Sequence, residues 1–204
     1  MDSAVALVQA YLYANGFFTV TEYPIIARGK DDEFHSVTDL DILAVRFPGA
    51  GRIIPHRGGG GKRFEEWSAP DPALDVCRDR LDLLIGEVKE GKPEFNPGTL
   101  RRDVMHTALT RFGAVAARKS GPVIDQLLRD GEAFSPEGPR IRLIAFGAGD
   151  RVFRRDNYLV IGLGHVVSFI EESAKENWDA VRRMQFKDPA MSFLMVLLKA
   201  SGKH

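Results

Sequence analysis

The chain has 204 residues, 44% of them hydrophobic and 27% charged, which is enough for one large folded domain and is not the balance of a disordered chain. Its 28 basic residues equal its 28 acidic ones, so a global positive field for nucleic acid is excluded and any partner must be recognised by a local surface. A single cysteine, Cys77, excludes an internal disulfide and a multi-thiolate zinc site, and points to a reducing compartment, expected to be the cytoplasm.

Residues 3–14, SAVALVQAYLYA, combine strong helix formers with an apolar stripe at Val5, Leu7, Val8, Tyr11 and Leu12, and Asn15-Gly16 is a natural stop. The aromatic and β-branched run FFTVTEYPIIA and the run VTDLDILAVRF flank the polar turn RGKDDEFHS, which predicts two consecutive antiparallel strands. From 48 to 72 the composition shifts to Gly and Pro, with four consecutive glycines and no sustained period, so this stretch is expected to be a mobile insertion without regular structure.

Residues 81–89 are predicted to form a buried strand. Its alternation places Leu83, Ile85, Glu87 and Lys89 on one face and Leu84, Gly86 and Val88 on the other. Past GKPEFNPG, Thr99 is positioned to cap a helix over 100–118 with an inward stripe of Leu100, Val104, Ala108, Leu109, Phe112 and Val115. PVIDQLLRDG predicts a further short helix. IRLIAFGA and NYLVIGLG predict two more strands, with GDRVFRRD as a basic turn between them. The stretch 165–183 and the run AMSFLMVLLKAS read as C-terminal helices over a sheet face, the second either covering the chain's own sheet or mediating a homodimer. The whole chain, 1–204, is thus expected to be a single domain with a helical extension over 165–204. No run is long enough to span a membrane, and neither a signal peptide nor an anchor is expected from the sequence.

Asp41, within TDLDILAV, and Glu87 are acids embedded in apolar strands, and Lys89 ends the second of them. Isolated buried charges are very costly, so these groups must form an ion pair, hold a metal, or open into a cleft. On the alternation of the first run, Asp41 shares a face with Asp39, Leu43 and Val45. A second Glu-x-Lys, Glu90-Gly91-Lys92, follows at once, but Gly91 and Pro93 end the strand before it.

A helix, a hairpin whose second strand carries Asp41, a strand ending in Glu87-Val88-Lys89, and a following helix resemble, in that order, the PD-(D/E)XK nuclease superfamily of restriction-endonuclease-like and Holliday-junction-resolvase-like enzymes. The resemblance implies an α/β fold, a restriction-endonuclease-like mixed β-sheet flanked by helices, with an αβββαβ core and C-terminal helices. It implies a metal-dependent endonuclease that hydrolyses phosphodiester bonds, in DNA, with Asp41, Glu87 and the Val88 carbonyl on Mg²⁺, for which Mn²⁺ can substitute, and Lys89 at the attacking water. Relatives often carry a glutamate in the first helix. Here Gln9 either orients a metal-bound water or leaves that position vacant. The competing readings are a nuclease-fold module that binds nucleic acid without turnover, and a subunit acting beside a partner protein in a restriction or defence assembly.

Arg101, Arg102 and His106, in the first turns of the helix after Lys89, are candidate substrate contacts, with Arg102 and His106 on one face. The basic runs 51–63 and 151–155 are further candidates for the nucleic-acid backbone, and Trp67 either stacks on a base or, as the simpler reading, anchors its own loop. GGGGKR lacks the first glycine and the Ser/Thr of a P-loop, and GLGH at 162–165 lacks the rest of a dinucleotide fingerprint. His35 and His165 read as structural.

Overall fold

A computed structural model of the chain describes residues 2–29, 32–51, 53–55, 64–66, 69–136 and 138–202, with 53–55 and 64–66 described as backbone. Helix α1 (Ser3–Ala14) opens the fold as expected, with the Asp2 carboxylate accepting from the Ala4 N–H and Gly16 in a left-handed turn after the Asn15 cap. Strands β1 (Phe18–Arg28) and β2 (Phe34–Arg46) pair antiparallel. Where a structureless insertion was expected, β3 (Ile53–Pro55) and β4 (Phe64–Glu66) pair as a short hairpin, and Pro72–Leu74 forms a 3-10 turn capped by Asp71. The glycine run, most of the basic stretch 51–63, and Trp67 lie outside the described residues.

Strand β5 (Asp82–Val88) pairs antiparallel with β2 and parallel with β7 (Arg140–Gly147), which pairs parallel with β9 (Tyr158–Gly162). Helices α2 (Arg102–Arg111) and α3 (Ser120–Asp130) make the β5-to-β7 crossover. The short strand β6 (Glu132–Phe134) then pairs with the start of β7. The basic segment expected as a turn is instead strand β8 (Val152–Arg155), antiparallel to β9 at the sheet edge. The result is one mixed seven-stranded sheet in the order β1-β2-β5-β7-β9-β8, with β6 alongside β7. Helices α4 (Leu163–Glu176), α5 (Trp178–Val181) and α6 (Pro189–Ala200) close the chain.

Two apolar layers sandwich this sheet. On one face Leu83, Ile85, Leu143 and Val160 meet Val104, Met105 and Leu109 of α2 and Ile124 and Leu127 of α3. On the other, Ile42, Ala44, Leu84, Ile144 and Phe146 meet Val8 and Tyr11 of α1, Val166 and Ile170 of α4, and Met191 and Leu194 of α6. The buried side of α6 packs against α1, while Phe193, Val196 and Leu197 on its other side are exposed. Helix α2 is shorter than the 100–118 expected: it ends at Arg111, Gly113 has a left-handed φ of 69°, and Phe112 turns outward against Tyr23 instead of lying in the core. Among the described residues no helix is long and apolar enough to cross a membrane.

Alternation along β2 breaks at Asp41. Leu40 and Leu43, three residues apart, share the α2 layer, while Ile42 lies in the α1 layer. In the β1–β2 ladder Thr21 pairs with Ile42 and Tyr23 with Leu40, which leaves Glu22 opposite Asp41, and Glu22 has a left-handed φ of 51°. A positive φ in a non-glycine strand residue twists the ribbon and resets which side chains face inward. Leu40 consequently lies off the alternation that Ile42, Leu43 and Ala44 keep, with Asp41 at the break.

Candidate active site at the ends of strands β2 and β5

The β2–β5 ladder stops at the pair Ile42–Gly86. In a continuing register Leu40 would face Val88. Instead the Asp41 carboxylate reaches across and its Oδ2 accepts the Val88 N–H at 2.8 Å. An acid has replaced a backbone carbonyl as the partner of a strand amide, so the two strands part at this point without leaving the donor unpaired. The N–H and C=O of a strand residue leave the same side, so the Val88 carbonyl also faces β2.

Glu87 sits where its alternation placed it, on the Leu83 and Ile85 face, and is 3% exposed. Both of its oxygens are engaged. Lys89 Nζ lies 2.6 Å from Oε1, and the Thr99 hydroxyl donates to Oε2 at 3.0 Å. Lys89 Nζ also lies 3.9 Å from Asp41 Oδ2, so the ammonium bridges the two acids while remaining 41% exposed to solvent. Burial pulls the Lys89 pKa down, but the hydrogen bond from Lys89 to Glu87 and the charges of Glu87, Asp41 and Asp2 outweigh it and hold the group above the ordinary lysine value. Lys89 is thus a cation at neutral pH, a donor of charge and hydrogen bonds and not a base.

Thr99 and Asp2 are site residues that the sequence reading missed or assigned elsewhere. Thr99 was expected to cap α2. That helix instead starts two residues later with Arg101 at its N-cap and no side-chain cap, and Thr99 closes a turn with Asn96. Asp2 carries a helix-capping signature, but its electrostatic reach to Lys89 follows from how α1 packs, which no local pattern encodes. Gln9 points elsewhere, donating to Thr19 Oγ1 at 3.1 Å, and lines a cleft of about 360 Å³ with Gln185 and Lys187.

The three expected substrate contacts have partners within the protein. Arg101 pairs with Asp103, Arg102 with Asp125 of α3, and His106 Nδ1 lies 2.8 Å from Ser120 Oγ. The structure brings Asp41, Glu87, Val88 and Lys89 together and turns Arg102 and His106 toward α3. His165 is structural, as expected: its Nε2 meets the buried Asp71, which also accepts from Tyr11.

Among the described residues no three His, Cys, Asp or Glu side chains converge as a metal-ligating group. The Asp41 and Glu87 carboxylates meet at Lys89, and the Val88 carbonyl faces the same strand as Asp41, a donor set of hard oxygen without thiolate or imidazole. Mg²⁺ is commonly held by one or two carboxylates, with water and substrate phosphate filling the remaining positions, and this donor set fits it.

The turn after Lys89 is seated on the end of β7: Lys89 N–H donates to Phe146 O at 3.0 Å and Ala148 N–H to Gly91 O at 2.7 Å. A β-carbon at Gly147 would come within 2.7 Å of the Gly91 carbonyl oxygen and of Pro93. Gly147→Ala is therefore expected to cost about 1–3 kcal/mol, measured by urea denaturation, and to displace the segment that carries Lys89.

Fold and site together define an α/β protein with a mixed open sheet, in which two adjacent strands deliver a pair of carboxylates and a lysine to one end of the sheet. Comparison with family models, with curated proteins and with solved structures returns no match.

Proposed function

We propose that the chain is a metal-dependent nuclease of the PD-(D/E)XK type that hydrolyses phosphodiester bonds in DNA. The observation that carries the reading is the convergence of Asp41, Glu87 and Lys89 where the β2–β5 ladder ends. The order α1-β1-β2-β5-α2-α3-β7, with an antiparallel meander followed by a parallel strand, supports the αβββαβ core that the resemblance implies.

In this reading Asp41, Glu87 and the Val88 carbonyl hold Mg²⁺. The ion, when bound, lowers the pKa of a coordinated water and offsets charge on the phosphate oxygens. Asp41 and Glu87 supply the negative charge that draws the cation to the strand ends. The Lys89 ammonium orients the attacking water and donates to the phosphate as negative charge builds on it. Water attacks phosphorus and gives up a proton to solvent, the bond to the leaving oxygen breaks, and that oxygen takes up a proton from solvent.

The test is the conversion of supercoiled plasmid to nicked circles by the full chain with Mg²⁺, with Mn²⁺, and with EDTA. Nicking is expected with either cation, and EDTA and Asp41→Asn are each expected to abolish it. DNA binding without cleavage under all these conditions would favour the second reading, a non-catalytic binding module. The lack of a third acidic ligand among the described residues is the observation behind that alternative. Binding by either form should weaken with salt in proportion to the number of phosphates its basic groups contact.

A further inference from the structure

We infer that Thr99 is the positioning residue of Glu87 and determines which carboxylate oxygen the site presents. The inference rests on the reading of Asp41 and Glu87 as the cation-binding pair. Thr99 is 1% exposed and Glu87 3%, so the hydrogen bond between them is sealed from water. The hydroxyl has one proton to donate, and it goes to Glu87 Oε2.

The turn that carries Thr99 is itself held. Thr99 N–H donates to Asn96 O at 2.9 Å, Gly98 N–H to Asn96 Oδ1 at 2.9 Å, and Phe95 packs edge-on against Tyr158 at 5.1 Å. Glutamate reaches its carboxylate through three rotatable bonds, so a carboxylate at a strand end has no fixed direction of its own. With Oε2 committed to Thr99 on the buried side, Oε1 is the oxygen left facing Lys89 and the open strand ends. Groups that orient a metal-binding carboxylate affect how tightly the metal is held, because they remove conformational freedom before it binds.

Thr99→Val removes the hydroxyl at nearly constant volume, and Thr99→Ser keeps it. The readouts are Mn²⁺ binding to the full chain by electron paramagnetic resonance, and plasmid nicking as a function of Mn²⁺ concentration. Thr99→Val is expected to weaken Mn²⁺ binding by roughly 10- to 100-fold, with most of the nicking rate recovered at saturating Mn²⁺. Thr99→Ser should stay close to the parent in both. A purely structural role would lower the melting temperature without moving Mn²⁺ affinity. Circular dichroism checks folding, and if Thr99→Val does not fold, Thr99→Ala carries the same expectation.

Unchanged Mn²⁺ affinity in a folded hydroxyl-free variant overturns the inference, and so does a Thr99→Ser chain as impaired as Thr99→Val. A parent chain that binds no Mn²⁺ overturns the cation-site reading and this inference with it. That result is distinct from a parent and a Thr99→Val chain that bind the ion equally.

Discussion

Lys89→Gln is expected to lower the rate of plasmid nicking by roughly 10²- to 10³-fold while leaving the fold intact, the loss typical when one preorganised donor to a developing negative charge is removed. Glutamine keeps a hydrogen-bond donor for Glu87 Oε1, so the change isolates the positive charge. The side chain is 41% exposed, so shortening it leaves no sealed cavity. Single-turnover nicking at fixed Mn²⁺ reads the rate, and thermal unfolding confirms that the sheet survives. A Lys89→Gln chain that nicks as fast as the parent would remove Lys89 from the chemistry and leave the Glu87–Lys89 contact as an internal ion pair.

The second large effect lies away from the site. Asp82→Ala should cost about 3–5 kcal/mol of stability, the range for removing one partner of a buried ion pair. Asp82 is fully buried. Arg142 Nε donates to its Oδ1 at 3.0 Å and Nη2 to its Oδ2 at 2.7 Å, and the Cys77 N–H adds a third donor at 3.1 Å. Arg142 Nη1 also donates to the Leu74 carbonyl, so the pair ties the segment after the insertion to the sheet. Without Asp82 the guanidinium stays 5% exposed and lacks its counter-charge. Urea denaturation measures the loss, and Asp82→Leu combined with Arg142→Met should recover part of it, because the lone charge is gone while the Cys77 N–H and the Leu74 carbonyl lose their partners. A single variant costing under about 1 kcal/mol would mean that the pair is solvated in solution.

Much of this was legible locally, and the remainder depends on packing. Period-two alternation over 81–89 placed Glu87 opposite Leu84 and Val88 correctly, since a buried strand between two helical layers has no freedom to face otherwise. The same rule failed between Leu40 and Ile42, at the place where the left-handed Glu22 lies opposite in the neighbouring strand, and nothing about a glutamate signals that conformation. Thr99 after Pro97-Gly98 has the chemistry of a helix cap, but the choice between an amide of α2 and Glu87 is made by where the turn lands on the sheet. The spacing of Arg102 and His106 was right for one helix face. That the face meets α3 and not solvent is a tertiary fact. Strand β8 was hidden by its composition, since a short exposed edge strand needs no apolar alternation and two arginines resemble a turn.

The site is made of side chains from two neighbouring strands, whose relative alignment is set by their ladder and by the apolar residues flanking Asp41. Were β2 to slide by one residue along β5, Leu40 and Ile42 would each be driven to the wrong layer as the carboxylate left the Val88 amide. Misalignment severe enough to dismantle the site therefore also exposes oil to water, so the alignment of the carboxylates and the stability of the sheet are lost together.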